Sequence, residues 1–463
     1  MSLLEGVRGK IPVAMTVAGS DSGGGAGIEA DLKTFAALGV HGTVALTAIT
    51  AQNTYSVTAV QDVDPEVVAK QIDAVAEDLG IDAAKTGMLH TSDIIKTVAA
   101  KVEEHGFPLV VDPVMVAKSG APLLRDEAVE ALARDLIPLA KVVTPNAREA
   151  EILAGIRVAS RSDMVEAAKR IAKLGPEAVV VKGGHVELED ALDILYYRGE
   201  VYEFRAPRLE SKSTHGTGCS FSAAIAAELA KGSDIVKAVR VAKEVVRAGI
   251  AFGLPVGKGY GPVNPMALLY KEAYRYRVLK SVERAVEVLT TSPLVERLAP
   301  EVGMNVVEAL PYAETLFDVA GIPGRLRATG RGLRAATGPD FGASSHLARY
   351  VLEARKYDPE VRAAVNLRFS EELLEVLESM ELCISYYDRR EEPEEVKRRE
   401  GATIPWGVRK AVEKVGRVPD VVYHRGDWGK EPMVVLLGKS AEELATLVVK
   451  VAEKLSLRES RSI

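Results

Sequence analysis

Two glycine-rich stretches hold the residues of this chain best suited to chemistry. The first, Gly19-Ser20-Asp21-Ser22-Gly23-Gly24-Gly25-Ala26-Gly27, follows an apolar run ending at Ala18 and precedes a helical pattern of Ile28, Leu32, Phe35 and Ala36. A strand, a glycine loop and a helix in succession let a ligand approach the backbone and aim amides at it, as a nucleotide site requires. The second, Ser213-Thr214-His215-Gly216-Thr217-Gly218-Cys219-Ser220, leads into the small-residue helix Phe221 to Ala230. It sets unpaired amides and a thiol at a helix start, where the dipole stabilises developing phosphoryl charge and lowers a thiol's pKa. Cys219 could then take the proton of an attacking alcohol. The alternative is a small buried residue at a tightly packed helix start.

Two common phosphate-binding patterns are excluded. Gly25-Ala26-Gly27-Ile28-Glu29-Ala30 meets the loose dinucleotide fingerprint, yet no Asp or Glu lies between Asp31 and Asp62 to bind a ribose. Gly438-Lys439-Ser440 ends like a Walker loop, but the position five before Gly438 is Met433 instead of glycine. A kinase here must belong to another class. His185 and His215 each adjoin a glycine turn and are assigned no proton-transfer role.

Further on, Gly321 to Arg334 places Arg325, Arg327, Arg331 and Arg334 on a glycine-rich stretch. Their planar forks suit diphosphate oxygens, and a plain solvated basic face is the competing reading. Ser344 and Ser345 then N-cap a helix expected from near His346, itself a candidate functional group or a capping and packing residue.

These residues must be positioned by two domains, since 463 residues exceed what a single core organises. Up to about residue 265, short β-branched runs (Ile11 to Ala18, Leu109 to Val111, Lys141 to Thr144, Ala178 to Val181) alternate with amphipathic segments, predicting α/β layers on a mainly parallel sheet. Gly257 to Pro265 breaks the pattern and sets the boundary. Residues 1–265 are expected as one domain, 266–290 as a helical linker and 291–463 as the second domain. Strands are expected there at Met304 to Leu310, Ala363 to Phe369, Leu382 to Tyr387, Asp420 to Tyr423 and Met433 to Leu437. Helices are expected at His346 to Lys356 and Ala441 to Leu455, and Asp388 to Glu400 reads as a solvated helix face.

Cys219 and Cys383 are the two cysteines, offering neither a disulfide framework nor zinc spacing, which predicts a reducing, cytoplasmic setting. The first residues lack a secretory pattern, and no apolar run is long enough to span a bilayer. A net charge of -6 with mixed signs gives no basic stripe for nucleic acid.

Six ordered motifs then become familiar. Ala18 to Ile28, Ala51-Gln52-Asn53-Thr54, Lys85-Thr86-Gly87-Met88-Leu89, Asp112 to Gly120, Lys182-Gly183-Gly184-His185 and Thr214 to Cys219 closely resemble the hydroxymethylpyrimidine (phosphate) kinases of the ribokinase-like superfamily, from about Ile11 to Pro265. The resemblance implies a three-layer α/β/α domain that uses ATP and Mg²⁺. It implies that Asp31 and Gln52 hydrogen-bond an aminopyrimidine, with Gly19, Ala26, Met88 and Val114 lining its pocket. Lys182 would contact the ATP phosphates, Asn146 and Glu149 would organise Mg²⁺ through water, and Asp112 would lie near the phosphate path. Gly216, Thr217 and Gly218 would supply the anion hole and Cys219 the base. Glu29 stands where the family suggests glutamine, without expected consequence. Related vitamin kinases share these loops, so pyridoxal is an alternative substrate. Homodimerisation is expected by analogy.

Pro300 to Asn305, Gly321 to Arg325, Phe341 to His346 and Asp388 to Pro393 resemble the archaeal-type thiamin-phosphate synthase domain, over about Thr291 to Leu457. That likeness implies an α/β/α sandwich around a mixed, largely antiparallel sheet. It also implies condensation of hydroxymethylpyrimidine diphosphate with hydroxyethylthiazole phosphate, with Arg325 and His346 as functional residues. Related domains act as ligand sensors, so a pure binding module is the alternative.

Overall fold

A computed structural model describes residues 11–115, 126–184 and 186–461. Residues 116–120 of the fourth motif and His185 lie outside them. The chain divides into two compact units that meet in sequence between Leu269 and Tyr270.

The first unit is built on eight strands. Val13–Ala18 lies between His41–Leu46 on one side and Ala83–Thr86 on the other, followed outward by Leu109–Val111, Val142–Val143 and Ala178–Lys182, all parallel. Asp190–Tyr197 and Glu200–Pro207 close that edge as an antiparallel hairpin, which the sequence reading did not foresee. Side chains alternate between two faces. Met15, Val17, Val111 and Val143 enter one core, while Ala14, Val110, Val142 and Val180 enter another beneath the helices Thr217–Ala230 and Ile235–Ala251. Parallel strands buried on both faces explain the near-continuous β-branched runs.

The second unit has a seven-stranded sheet in the order Asp340–Phe341, Val319–Gly321, Val306–Ala309, Ala363–Arg368, Met433–Gly438, Val421–His424, Ile384–Tyr386. Every pair is antiparallel except the last. Val434 and Leu436 point into one core, Val435 and Leu437 into the other, so helices cover both faces. Helix Ala267–Thr291, whose span was expected as a linker, contributes Val278, Val282, Ala285 and Leu289 to the first of these cores. The charged segment after Tyr387 forms only a 3₁₀ turn, Arg389–Glu391, and a five-residue helix, Glu394–Arg398.

In the first unit, the two glycine loops are clasped together. Asp21 is 2% exposed, and its carboxylate accepts the amides of Gly23, Gly25 and Ala26 at 2.8, 3.1 and 2.8 Å. His215, in the tautomer with its proton on Nε2, donates to the same carboxylate at 2.8 Å from the other loop. The loops approach so closely that a Cβ on Gly216, at φ +80, would lie 1.8 Å from the Gly25 carbonyl oxygen. Glu29 has a consequence after all: its Oε2 accepts the Asp21 amide at 2.8 Å.

Burial opposes ionisation of Asp21, but the His215 hydrogen bond and the Gly23 and Ala26 amides outweigh it and hold the carboxyl below its ordinary value of 3.8. Its stabilising contribution is therefore complete above that value and lost as the pH falls through the lowered folded value. An asparagine side chain in its place would turn N–H donors toward the loop amides. We expect Asp21→Asn to destabilise the first unit by about 1–3 kcal/mol at pH 7. In acid, where the parent carboxyl is protonated, the two proteins should converge, as urea unfolding at the two pH values will read.

Candidate active sites

The parallel strands of the first unit end on one side, where α/β sheets place their ligands. Lys182 closes its strand there, Asp112 follows Leu109–Val111, and Asn146 follows Val142–Val143. Asp112 is 3% exposed and accepts from Lys182 Nζ at 3.0 Å and Thr144 Oγ1 at 3.3 Å, while Ser222 Oγ donates to its second oxygen at 3.3 Å. Burial opposes the charge on Lys182, yet Asp112 and Glu149 together raise its pKa, so it stays an ammonium. Gly218 lets the helix start come near: a Cβ there would sit 3.4 Å from Lys182 Nζ and 3.5 Å from Asp112 Oδ2.

Asn146 and Glu149 form a reciprocal capping box on helix Ala147–Ala154, which accounts locally for their spacing. Burial pushes the Glu149 carboxyl up to about 7, with Lys182 opposing and Asp112 reinforcing the shift. A buried carboxyl this reluctant to ionise, beside Asp112, suits a site completed by a hydrated divalent cation.

Helix Thr217–Ala230 begins at Gly216, leaving the Thr217, Gly218 and Cys219 amides without intrahelical acceptors. The thiol does not follow the sequence expectation. Burial pushes Cys219 up to about 11, Lys85 opposes, and Asp31 and Asp112 add to the rise, so desolvation beside carboxylates overrides the helix start.

A small apolar cluster forms from Ala48, Met88 and the partly buried Val114. Gly19 borders it, with its Cβ position 3.3 Å from Met88 Sδ. Ala26 occupies the N-cap position of helix Gly27–Ala37. Gln52, on the hairpin of Ala48–Gln52 with Val57–Asp62, brings its side-chain nitrogen within 3.2 Å of His215 Nε2.

Asp31 is buried: its Oδ2 accepts from Thr16 at 2.7 Å and from the buried Lys85 ammonium at 2.8 Å, while Oδ1 has no protein partner. Burial nevertheless raises its pKa, and Lys85 only partly offsets that. Sequence reasoning quoted Lys85 within a family motif but gave it no role, since a charge on a central strand has no local reading. It also missed Asp21, although Asp before a run of glycines is a loop-organising signal.

In the second unit, Arg325 sits at φ +66 and donates through Nη1 to the Val302 carbonyl at 2.7 Å. Arg327, Arg331 and Arg334 are exposed on the small hairpin Leu326–Ala328 with Leu333–Ala335, where Arg327 and Arg334 pair across the strands; the solvated reading holds for these three. Helix Ser345–Ala354 begins one residue before His346, and the Ser344 side chain makes no cap hydrogen bond. The imidazole of His346 is instead directed inward, with Nε2 buried and unpartnered. Burial pulls its pKa down to about 4, and the nearby charges of Arg325, Arg349 and Arg389 add to the effect.

Among the described residues, no helix is long and apolar enough to cross a membrane. The phosphomethylpyrimidine kinase family profile matches residues 21–264, and that of thiamine-phosphate synthase ThiN matches residues 281–450. A hydroxymethylpyrimidine/phosphomethylpyrimidine kinase of Bacillus subtilis is 48% identical over 55% of this chain and 94% of its own length. The thiamine biosynthesis bifunctional protein ThiED of Geobacter sulfurreducens is 49% identical over 54% of this chain and 51% of its own. Among solved structures, an ADP complex of Bacillus subtilis pyridoxal kinase superposes with a TM-score of 0.53 at 41% identity, covering 56% of this chain and 99% of that one. The pyridoxal kinase of Staphylococcus aureus with AMP-PCP and pyridoxal gives 0.53 at 37%, covering 56% and 95%. Strand-end chemistry and these likenesses agree: the chain belongs to the phosphomethylpyrimidine kinase family and carries, behind that ATP-using kinase domain, a thiamine-phosphate synthase domain of the ThiN type.

Proposed function

We propose that this chain phosphorylates 4-amino-5-hydroxymethyl-2-methylpyrimidine and its monophosphate with ATP, then joins the diphosphate to hydroxyethylthiazole phosphate to give thiamin phosphate. The observation that carries the kinase half is the convergence of Lys182, Asp112 and the free amides of Thr217 to Cys219 at the strand ends. Phosphoryl transfer needs positioning and charge neutralisation more than covalent help. Lys182, held as an ammonium, faces the phosphate oxygens in this reading, and the amides receive charge on the transferred group. Asn146 and Glu149, with Asp112 beside them, would hold Mg²⁺ through water, and the ion when bound would supply further neutralisation of phosphate charge. Gly19, Met88, Val114 and Ala48 wall the flat ring, and Gln52 gives it a directed polar contact. Asp31 fixes Lys85 through Oδ2 and offers its unpartnered Oδ1 to the aminopyrimidine. Cys219, a neutral thiol at pH 7, relays the proton: its sulfur takes the proton of the attacking hydroxyl as its own S–H proton passes to an oxygen of the transferred phosphoryl group, a smaller contribution than the charges make.

In the second unit, Arg325 draws charge from the departing diphosphate while the thiazole nitrogen attacks the carbon that held it. His346, a neutral imidazole at pH 7, contacts the substrates through Nε2. The likeness to two pyridoxal kinases favours a second substrate for the kinase half. A sensor role for the second half stands against the synthase reading.

The full chain given the pyrimidine, the thiazole phosphate and MgATP should make thiamin phosphate and release diphosphate. Binding without turnover in the second step would select the sensor, and a higher kcat/KM on pyridoxal would reassign the first. Cys219→Ala should slow phosphorylation by on the order of 10²- to 10⁴-fold with ATP affinity nearly unchanged. Lys182→Ala should slow it more, and wild-type turnover in Cys219→Ala would reduce the thiol to packing. Arg325→Ala should abolish condensation while kinase turnover persists; a parallel fall in both would point to misfolding.

A further inference from the structure

The stretch Asp388 to Pro393 has no role in the reading above. It follows the edge strand Ile384–Tyr386, whose parallel neighbour ends at His424. Asp388 and Arg390 pair with each other, and Arg390 is 81% exposed. Arg389 is different: its side chain is 16% exposed, and its Nε is fully buried with no acceptor. Glu392, 2% exposed, stands 4.0 Å from the guanidinium, beyond hydrogen-bond length. It orients Arg389 without consuming its donors, and its own Oε1 is buried and unpartnered. His346 Nε2 is a third such atom.

These groups lie within electrostatic reach of one another. Arg325, Arg349 and Arg389 all bear electrostatically on His346, and Arg389 and His346 bear on His424. An aromatic wall joins the two histidines: His346 lies 5.5 Å from the Tyr350 ring, the Tyr350 and Tyr387 hydroxyls are 2.8 Å apart, and Tyr387 lies 5.2 Å from His424. Three guanidiniums bear on His346 here while the buried Glu392 carboxylate stands opposite Arg389 alone, and a buried N–H left without an acceptor is costly. An anion with several oxygens balances the charge and takes the idle donor. A structural Arg389 would instead have closed its hydrogen bonds on Glu392.

We propose that Arg389 is an anion-binding residue of the second unit, holding phosphate or diphosphate oxygens of a substrate together with Arg325 beside His346. Its substrate rests on the synthase reading; the anion site itself does not.

The full chain, with saturating ADP to occupy the kinase phosphate groups, is titrated calorimetrically with inorganic pyrophosphate and separately with orthophosphate. Arg389→Gln should weaken pyrophosphate binding on the order of tenfold to hundredfold. Arg390→Gln, altering the exposed neighbour, should leave it unchanged. Arg389→Lys keeps the charge, loses the fork and should fall between, a second reading should the glutamine disturb packing. In turnover, the KM that rises in Arg389→Gln shows whether the pyrimidine diphosphate or the thiazole phosphate is held. Unchanged affinity in both Arg389 variants, or no pyrophosphate binding by the parent, overturns the proposal. A parent that binds pyrophosphate through Arg389 but forms no thiamin phosphate sinks the synthase reading and leaves the anion site standing.

Discussion

The site of the first unit depends on one buried carboxylate. Asp21 gathers three amides of its own loop and the His215 imidazole of a loop 194 residues away. Neither loop has a packed core of its own, and glycine makes both cheap to unfold. Their mutual approach, with backbone almost touching at Gly25 and Gly216, is stable because an ion at the junction satisfies donors from both sides. Everything the kinase chemistry needs from helix Thr217–Ala230, its free amides and its thiol, inherits its placement from that junction.

Around it, burial sets the charges. Lys182 and Lys85 remain cations because carboxylates face them, while Glu149 and Cys219 resist ionising for want of water. A site arranged this way holds positive charge ready and keeps its negative groups partly protonated until a cation or phosphate arrives. Cys219 therefore contributes as a thiol within a cationic frame. The helix start acts on the transferred charge more than on the sulfur.

The second unit solves an anion problem differently. Its arginines do not act as a stripe: three belong to a solvated hairpin, and Arg325 separates from them because a left-handed backbone turn re-aims it toward Val302. Imidazoles kept neutral by burial then sit beside guanidiniums that burial cannot neutralise. A neutral imidazole among fixed cations can accept or donate a hydrogen bond to a polyanionic substrate without adding to the repulsion.

The sequence alone determined the layered α/β architecture, because strand runs of period two and helices with one apolar face are local facts. Val434 to Leu437 show this, feeding alternate cores as their alternation requires. It also determined the glycine loops and the Lys182 strand end, since backbone freedom and helix starts are written in a few adjacent residues. Tertiary structure alone decided what depends on distant neighbours. That Asp21 meets His215, that Asp31 pairs with Lys85, and that Cys219 is raised and not lowered all follow from burial, which no window of sequence contains. The same holds for Ala267–Thr291: its charged surface read as a linker, and only the sheet it covers reveals Val278, Val282 and Leu289 as core.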